Sequence, residues 1–175
     1  MRSVGIDEMT LKLLGVEISD TKRPMPMPQF NGATGMPTKS APAMSEEKFK
    51  EAIIAQAKKD FENGKFGGAN NASYMVLKNN FISVASPDRK GSIAQMMRKI
   101  PDSQHGKVSY LKIKDAQGNT ISTYSANGGW KAIGTKEENR RSSQFNAIYN
   151  EAWNTLKAQA QQQVKQTSSS IDTFI

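Results

Sequence analysis

Phe49, Ile53, Ala57 and Phe61 recur every four residues, which places them on one face of a helix. Ser45 stands where it can cap the first turn, Glu46 and Glu47 follow at the positive end of the helix dipole, and Asn63–Gly64 supplies the stop. Tyr74, Leu77, Phe81 and Val84 predict a second helix over about 72–84. Ser86-Pro87-Asp88 then reads as a helix start, with Ser86 as cap and Pro87 at the first helical position. Ile93, Met96, Met97 and Ile100 form the buried stripe of this third helix, and Pro101 ends it.

From Lys107 the period changes to two. Asp115-Ala116-Gln117-Gly118-Asn119 has the chemistry of a turn followed by a left-handed glycine, so Asp115 is expected to face Asn119. That register puts Ile113 opposite Ile121, Leu111 opposite Thr123, and Tyr110 opposite Tyr124. Asn127–Gly128 predicts a two-residue hairpin that sets Lys131 opposite Tyr124 and Trp130 opposite Ser125. The two turns agree. Leu111, Ile113, Ile121, Trp130 and Ala132 fall on one face of a three-stranded antiparallel meander; Tyr110, Lys112, Lys114, Tyr124 and Lys131 fall on the other.

Thr135 and Glu138 form a capping box, and Phe145, Ile148, Tyr149, Ala152, Trp153 and Leu156 mark one side of a long closing helix. That side is expected to pack on the apolar face of the sheet, with Trp153 near Trp130. The fold class is therefore α+β: three N-terminal helices, a three-stranded meander and a long C-terminal helix on the sheet. A single globular domain is expected over 45–160, with a frayed polar tail over 161–175.

Five of the seven prolines lie between Pro24 and Pro42, and such a stretch reads as a linker. Residues 1–44 are accordingly expected to be a flexible arm. Ile6, Met9, Leu13 and Leu14 make a short apolar patch within it, a candidate for docking on a partner or on the domain itself.

Composition removes several chemistries. The 175 residues include no cysteine, which excludes disulfides, thiolate catalysis and iron–sulfur ligation. His105 is the lone histidine and reads as a loop residue, since no second imidazole or carboxylate cluster accompanies it. Glu46/Glu47 and Glu137/Glu138 open helices, where the dipole accounts for them. Gly64, Gly67 and Gly68 follow a helix, the wrong context for a dinucleotide fingerprint. Arg140–Arg141 fits a solvated face reaching back to Glu137 and Glu138, and Asp88–Arg89 fits a cap with a local ion pair. Neither a nucleophile–base pair nor a metal cluster assembles, so no catalytic residue, cofactor or metal is expected. No apolar run approaches the ~20 residues of a membrane span, and Asp7 and Glu8 interrupt the stretch a signal peptide needs. A cytoplasmic location is the expectation.

The formal net charge is +8. Its densest excess lies over 106–134, where Lys107, Lys112, Lys114 and Lys131 stand against Asp115 alone. A flat face combining Tyr110 and Tyr124 with Lys112, Lys114 and Lys131 has the makings of a single-strand nucleic-acid platform, with stacking below bases and lysines on phosphates. A solvated sheet face accounts for the same residues.

Residues 81–93 (FISVASPDRKGSI) and 124–154 (YSANGGWKAIGTKEENRRSSQFNAIYNEAWN) resemble an uncharacterised family of small bacterial proteins of Gram-positive type. Its members share a Ser-Pro-Asp-Arg helix start, an Asn-Gly-Gly-Trp hairpin and a closing helix with Ile-Tyr-Asn-x-Ala-Trp. The similarity spans residues 45–158 and leaves the arm outside. It implies a bacterial origin and one folded unit, and carries over no activity or site residue. The leading expectation is thus a non-catalytic bacterial protein-binding or assembly module with a protein partner. The alternative is a nucleic-acid-binding protein that uses the tyrosine–lysine face of the sheet.

Overall fold

The computed structural model describes residues 7–26 and 44–171, with side chains through residue 167. Ile6 and the proline-rich stretch over 27–43 lie outside the described residues. The chain divides into two compact units. The first contains described residues 7–26 and 83–139; the second contains 44–82 and 140–171. Among the described residues there are six helices and four strands.

The first unit begins with α1 (Glu8–Leu13), a six-residue helix. Asp7 caps it: its Oδ1 accepts from the Thr10 hydroxyl at 2.6 Å and the Thr10 amide at 2.7 Å. Those two bonds hold the Asp7 carboxyl below its ordinary range. Gly15, at φ +81°, turns the chain into β1 (Val16–Ile18). A side chain there would be strained by the backbone angle and would also press on Lys112, whose Cβ lies 3.2 Å from the ideal Cβ position.

β1 pairs antiparallel with β2 (Val108–Lys114), setting Val16 opposite Leu111 and Glu17 opposite Tyr110. The sheet continues through β3 (Thr120–Ser125) to β4 (Gly129–Ala132), in the order β1-β2-β3-β4. It therefore has four strands, not the expected three, and the fourth comes from the segment read as an arm. Leu11 and Val16 are the reason: both are buried in the same apolar cluster as Ile93, Ile100, Val108, Leu111, Ile113, Ile121 and Tyr124. Burying these two side chains offsets the entropy of ordering the segment.

α4 (Arg89–Lys99) supplies Ile93 to this cluster and is followed by the short α5 (Asp102–His105). Asp88, not Ser86, caps α4, its Oδ1 accepting the Gly91 amide at 2.9 Å. Pro87 consequently lies ahead of the helix. His105 ends α5, with Nε2 2.7 Å from the Ile100 carbonyl and 3.1 Å from that of Met97, so this nitrogen donates.

In the second unit, α2 (Glu46–Glu62) is capped by Ser45 as its sequence predicts, and α3 (Ala72–Ser83) follows. α6 (Lys136–Ile171) starts in the first unit and runs through the second. Residues 161–171, expected to fray, are helical, and 172–175 lie outside the described residues. The α6 stripe meets rings from α2, α3 and the intervening loop. Tyr149 stacks with Trp153 and sits edge-on to Tyr74, while Trp153 meets Phe61 and Phe66 edge-on, each at 5.0 Å between centroids. In the first unit Trp130 takes Tyr124 as a ring partner, at 5.3 Å between centroids. Tyr149 is buried and donates its hydroxyl to Asp60 Oδ2 at 2.7 Å, and Gln56 donates to the other carboxylate oxygen at 2.8 Å.

Candidate functional site

Both hairpins depart from their expected registers by one residue. The first turn forms as anticipated, with Gly118 at φ +83° and the Asp115 amide donating to Asn119 O. Asp115 accepts from the Gln117 and Asn119 amides and the Asn119 side chain; although desolvation opposes it, these bonds hold its carboxyl below the ordinary range. Beyond the turn, Lys114 pairs with Thr120 but Ile113 pairs with Ser122, so Ile121 is an extra, bulged residue. Ile121 and Ser122 are both fully buried as a result. At the second turn the left-handed residue is Gly129, at φ +66°, and Ser125 pairs with Gly129 around a three-residue loop.

These two shifts act on one residue above all. Tyr124 becomes the partner of Leu111 and Trp130, and at 2% exposure belongs to the core. It leaves the face where the alternating pattern puts it. The physical gain is the burial of a large aromatic ring against Trp130, whose indole nitrogen donates to Pro26 O at 2.7 Å.

The other four residues of the proposed nucleic-acid face do share one side of the sheet. Lys112, Thr123 and Lys131 form a row across three strands, with Lys114 beside it, and all three lysines are exposed. Tyr110 is half-buried; Lys112 Nζ lies over its ring, 5.7 Å from the centroid, and Glu17 is its cross-strand neighbour. The face thus holds one tyrosine, already engaged by a lysine, and an acid.

The structure also sorts the apolar patch of the N-terminal segment. Met9 and Leu13, one helical turn apart, are 75% and 83% exposed. Leu14 is half-buried against the core, and Ile6 lies outside the described residues. Leu13 and Leu14 line a cleft of about 460 Å³ with Met96 and Ile113. Lys99, Lys112 and Lys114 line the same cleft, together with Ser92, Gln95 and Asp115. Two groups of residues that the sequence leaves unrelated, the docking patch and the sheet lysines, meet here. Lys99 is the addition that sequence reading missed. It sits in the last turn of α4, where a basic residue is accounted for by the helix dipole alone.

Two arginines are structural rather than solvent-facing. Arg89 is buried and pairs with Glu138. Arg141 lies over the Phe81 ring at 4.0 Å, donates to Phe81 O at 2.6 Å and to Glu46 Oε1 at 2.7 Å. Arg141 is therefore a link within the helical unit and does not reach back to Glu137 or Glu138. Among the described residues no group of histidine, aspartate and glutamate is placed to hold a metal ion, and no helix is long and apolar enough to cross a membrane.

Comparison with protein-family models, with curated proteins and with solved structures finds no match.

Proposed function

We propose that this chain is a non-catalytic protein-binding module, and that it takes an acidic, leucine- or phenylalanine-bearing segment of a partner protein in the cleft between α1, α4 and β2. The observation that carries this reading is the convergence of Leu13, Leu14 and Met96 with Lys99, Lys112 and Lys114 around one opening. An apolar floor gives affinity through the area removed from water, and a lysine rim selects negative charge and accelerates encounter. Leu13 supports the reading further, because an aliphatic side chain 83% exposed beside such a cleft loses its contact with water when a partner seats there. Nucleic-acid binding is the weaker reading. Its stacking platform required two tyrosines on the open face, and Tyr124 is in the core.

The experiment is a fluorescence-anisotropy titration of the full chain with three probes: an acidic peptide interspersed with leucine and phenylalanine, polyglutamate, and oligo-dT. The mixed peptide is expected to bind tightest, to weaken with added salt, and to lose about tenfold or more in affinity in Lys99→Gln/Lys112→Gln/Lys114→Gln and in Leu13→Ser. Leu13 and the lysines are exposed, so these variants keep the fold. Preference for oligo-dT, or equal binding of the peptide by Leu13→Ser, overturns the proposal.

A further inference from the structure

The opposite end of β2 carries a second, smaller pocket of about 210 Å³, lined by Ser19, Thr21, Arg23, Ser109, Ser125 and Asn127 around the buried Val108. The loop that follows β1 is pinned at both ends to the start of β2. The Ser19 amide donates to Lys107 O, and the Arg23 amide donates to Gly106 O. This holds Arg23 over the hairpin between β3 and β4, where its Nη1 donates to Asn127 Oδ1 at 2.6 Å.

The hydrogen bonds of the lining groups point one way. Ser19 Oγ accepts from the Thr21 amide, and Ser125 Oγ accepts from the Gly128 amide. Each hydroxyl has an accepting role within the chain, which leaves its hydrogen to donate elsewhere. Ser109 is the exception, its hydroxyl donating to Glu17 O. Arg23 spends one N–H direction on a neutral amide oxygen, and among the described residues no carboxylate lines the pocket. A guanidinium and the hydroxyls of Ser19 and Ser125 are therefore available as donors around one small space that Thr21 also lines, on a loop held by the Ser19 and Arg23 backbone bonds.

We infer that this pocket binds a tetrahedral oxyanion, phosphate or sulfate. The volume admits one such ion, donors come from several directions as a tetrahedral group requires, and the guanidinium fork supplies paired N–H groups. A planar carboxylate can use the fork, but its remaining lone pairs lie near its own plane and serve donors spread around it in three dimensions less well than a tetrahedral group does. Arg23 and Asn127 are exposed, so the ion keeps part of its hydration and the affinity falls in the millimolar range.

The test is a titration of the ¹⁵N-labelled full chain with sodium phosphate at constant ionic strength, followed by amide chemical shifts, with sulfate and acetate as parallel arms. Saturable shifts are expected at Ser19, Thr21, Arg23, Ser125 and Asn127, for phosphate and sulfate at lower concentration than for acetate. Arg23→Gln is expected to weaken phosphate by about tenfold, and Thr21→Val by about threefold. Both positions are exposed, and unchanged amide shifts elsewhere report an intact fold. Lys112→Gln/Lys114→Gln is expected to leave phosphate affinity as it was, which separates this pocket from the peptide cleft. Absence of saturable shifts by about 50 mM phosphate, equal affinity in Arg23→Gln, or preference for acetate overturns the inference.

Discussion

The guanidinium of Arg89 closes on both carboxylate oxygens of Glu138, with Nη1 2.8 Å from Oε1 and Nη2 2.6 Å from Oε2. Both side chains are about 1% exposed. Arg89 also donates to the carbonyls of Ile121 and Ile133, while Glu138 accepts from the Ser86 hydroxyl and the Thr135 amide. One buried pair thus joins the start of α4, the bulge of β3, the end of β4 and the first turn of α6. Glu138 remains a member of its capping box, its own amide donating to Thr135 Oγ1 at 3.1 Å.

Breaking this pair from one side leaves a charge buried without its partner. Glu138→Gln is expected to destabilise the chain by about 3–5 kcal/mol, and Arg89→Met/Glu138→Leu by much less, because no charge is then stranded. Urea denaturation of the two variants checks the ordering. Equal losses would show that Arg89 is stabilised by the Ile121 and Ile133 carbonyls and not by the carboxylate.

The same pair sets an acid limit. Desolvation pushes the Glu138 carboxyl upward, but the Arg89, Thr135 and Ser86 hydrogen bonds and the Arg89 charge outweigh it and hold the group below its ordinary range. A carboxyl whose pKa is lower in the folded chain contributes stability above its unfolded pKa, about 4.3, and loses it as pH falls through the folded value. The urea midpoint is therefore expected to drop as pH falls below about 4, and more steeply in the unmodified protein than in Glu138→Gln. Parallel pH profiles would remove Glu138 as the cause.

Leu11 and Leu13 differ by two positions in α1 and by nearly the whole range of exposure, 2% against 83%. Leu11→Ala is expected to cost about 2–5 kcal/mol, and Leu13→Ala less than about 0.5 kcal/mol. Deleting residues 7–20 removes β1 along with Leu11 and is expected to destabilise at least as much as Leu11→Ala. A truncated chain with an unchanged unfolding midpoint would show that the N-terminal segment does not belong to the sheet.

Tyr124 and Tyr110 report the strand register. Tyr124→Ala is expected to cost about 3–5 kcal/mol as a buried aromatic, and Tyr110→Ala about 1 kcal/mol or less. Comparable losses would restore the unshifted hairpin.

In the helical unit, Tyr149→Phe removes the hydroxyl that satisfies Asp60 Oδ2 and is expected to cost about 1–3 kcal/mol. Burial and the Asp60 hydrogen bond and charge raise the Tyr149 pKa well above the tyrosine range. An alkaline absorbance titration of the folded protein is therefore expected to lack the Tyr149 contribution, so that Tyr149→Phe leaves the folded-state amplitude unchanged. Ionisation of all four before unfolding would place the hydroxyl in water.

Local chemistry made much of the fold legible. The spacing of Phe49, Ile53 and Ala57 predicts the buried face of α2, and all three are buried. The Ser45 cap and the Thr135–Glu138 box form as their residue types require. Asp115 through Asn119 makes the turn its composition specifies. Each of these depends on groups within about four residues of one another, where the backbone sets the geometry. The candidate site was legible only in pieces: Leu13 and Leu14 as an apolar patch, Lys112 and Lys114 as a basic row, and Lys99 and Arg23 not at all.

What the sequence alone determined is the four longer helices, α2, α3, α4 and α6, and the presence of both hairpins, since periodicity and turn chemistry are properties of neighbouring residues; the short α1 and α5 fall outside the three N-terminal helices it predicts. The tertiary structure decided the one-residue shift that sends Tyr124 inward, the recruitment of β1 to the sheet edge, and the meeting of Leu13 with Lys112 and Lys114. Those outcomes turn on side chains far apart in the chain competing for one apolar face. A bulge at Ile121 gives up a regular ladder position, and burial of Ile121 and Tyr124 more than offsets it. That balance is set by packing among residues from 11 to 132, and no window of local sequence contains it.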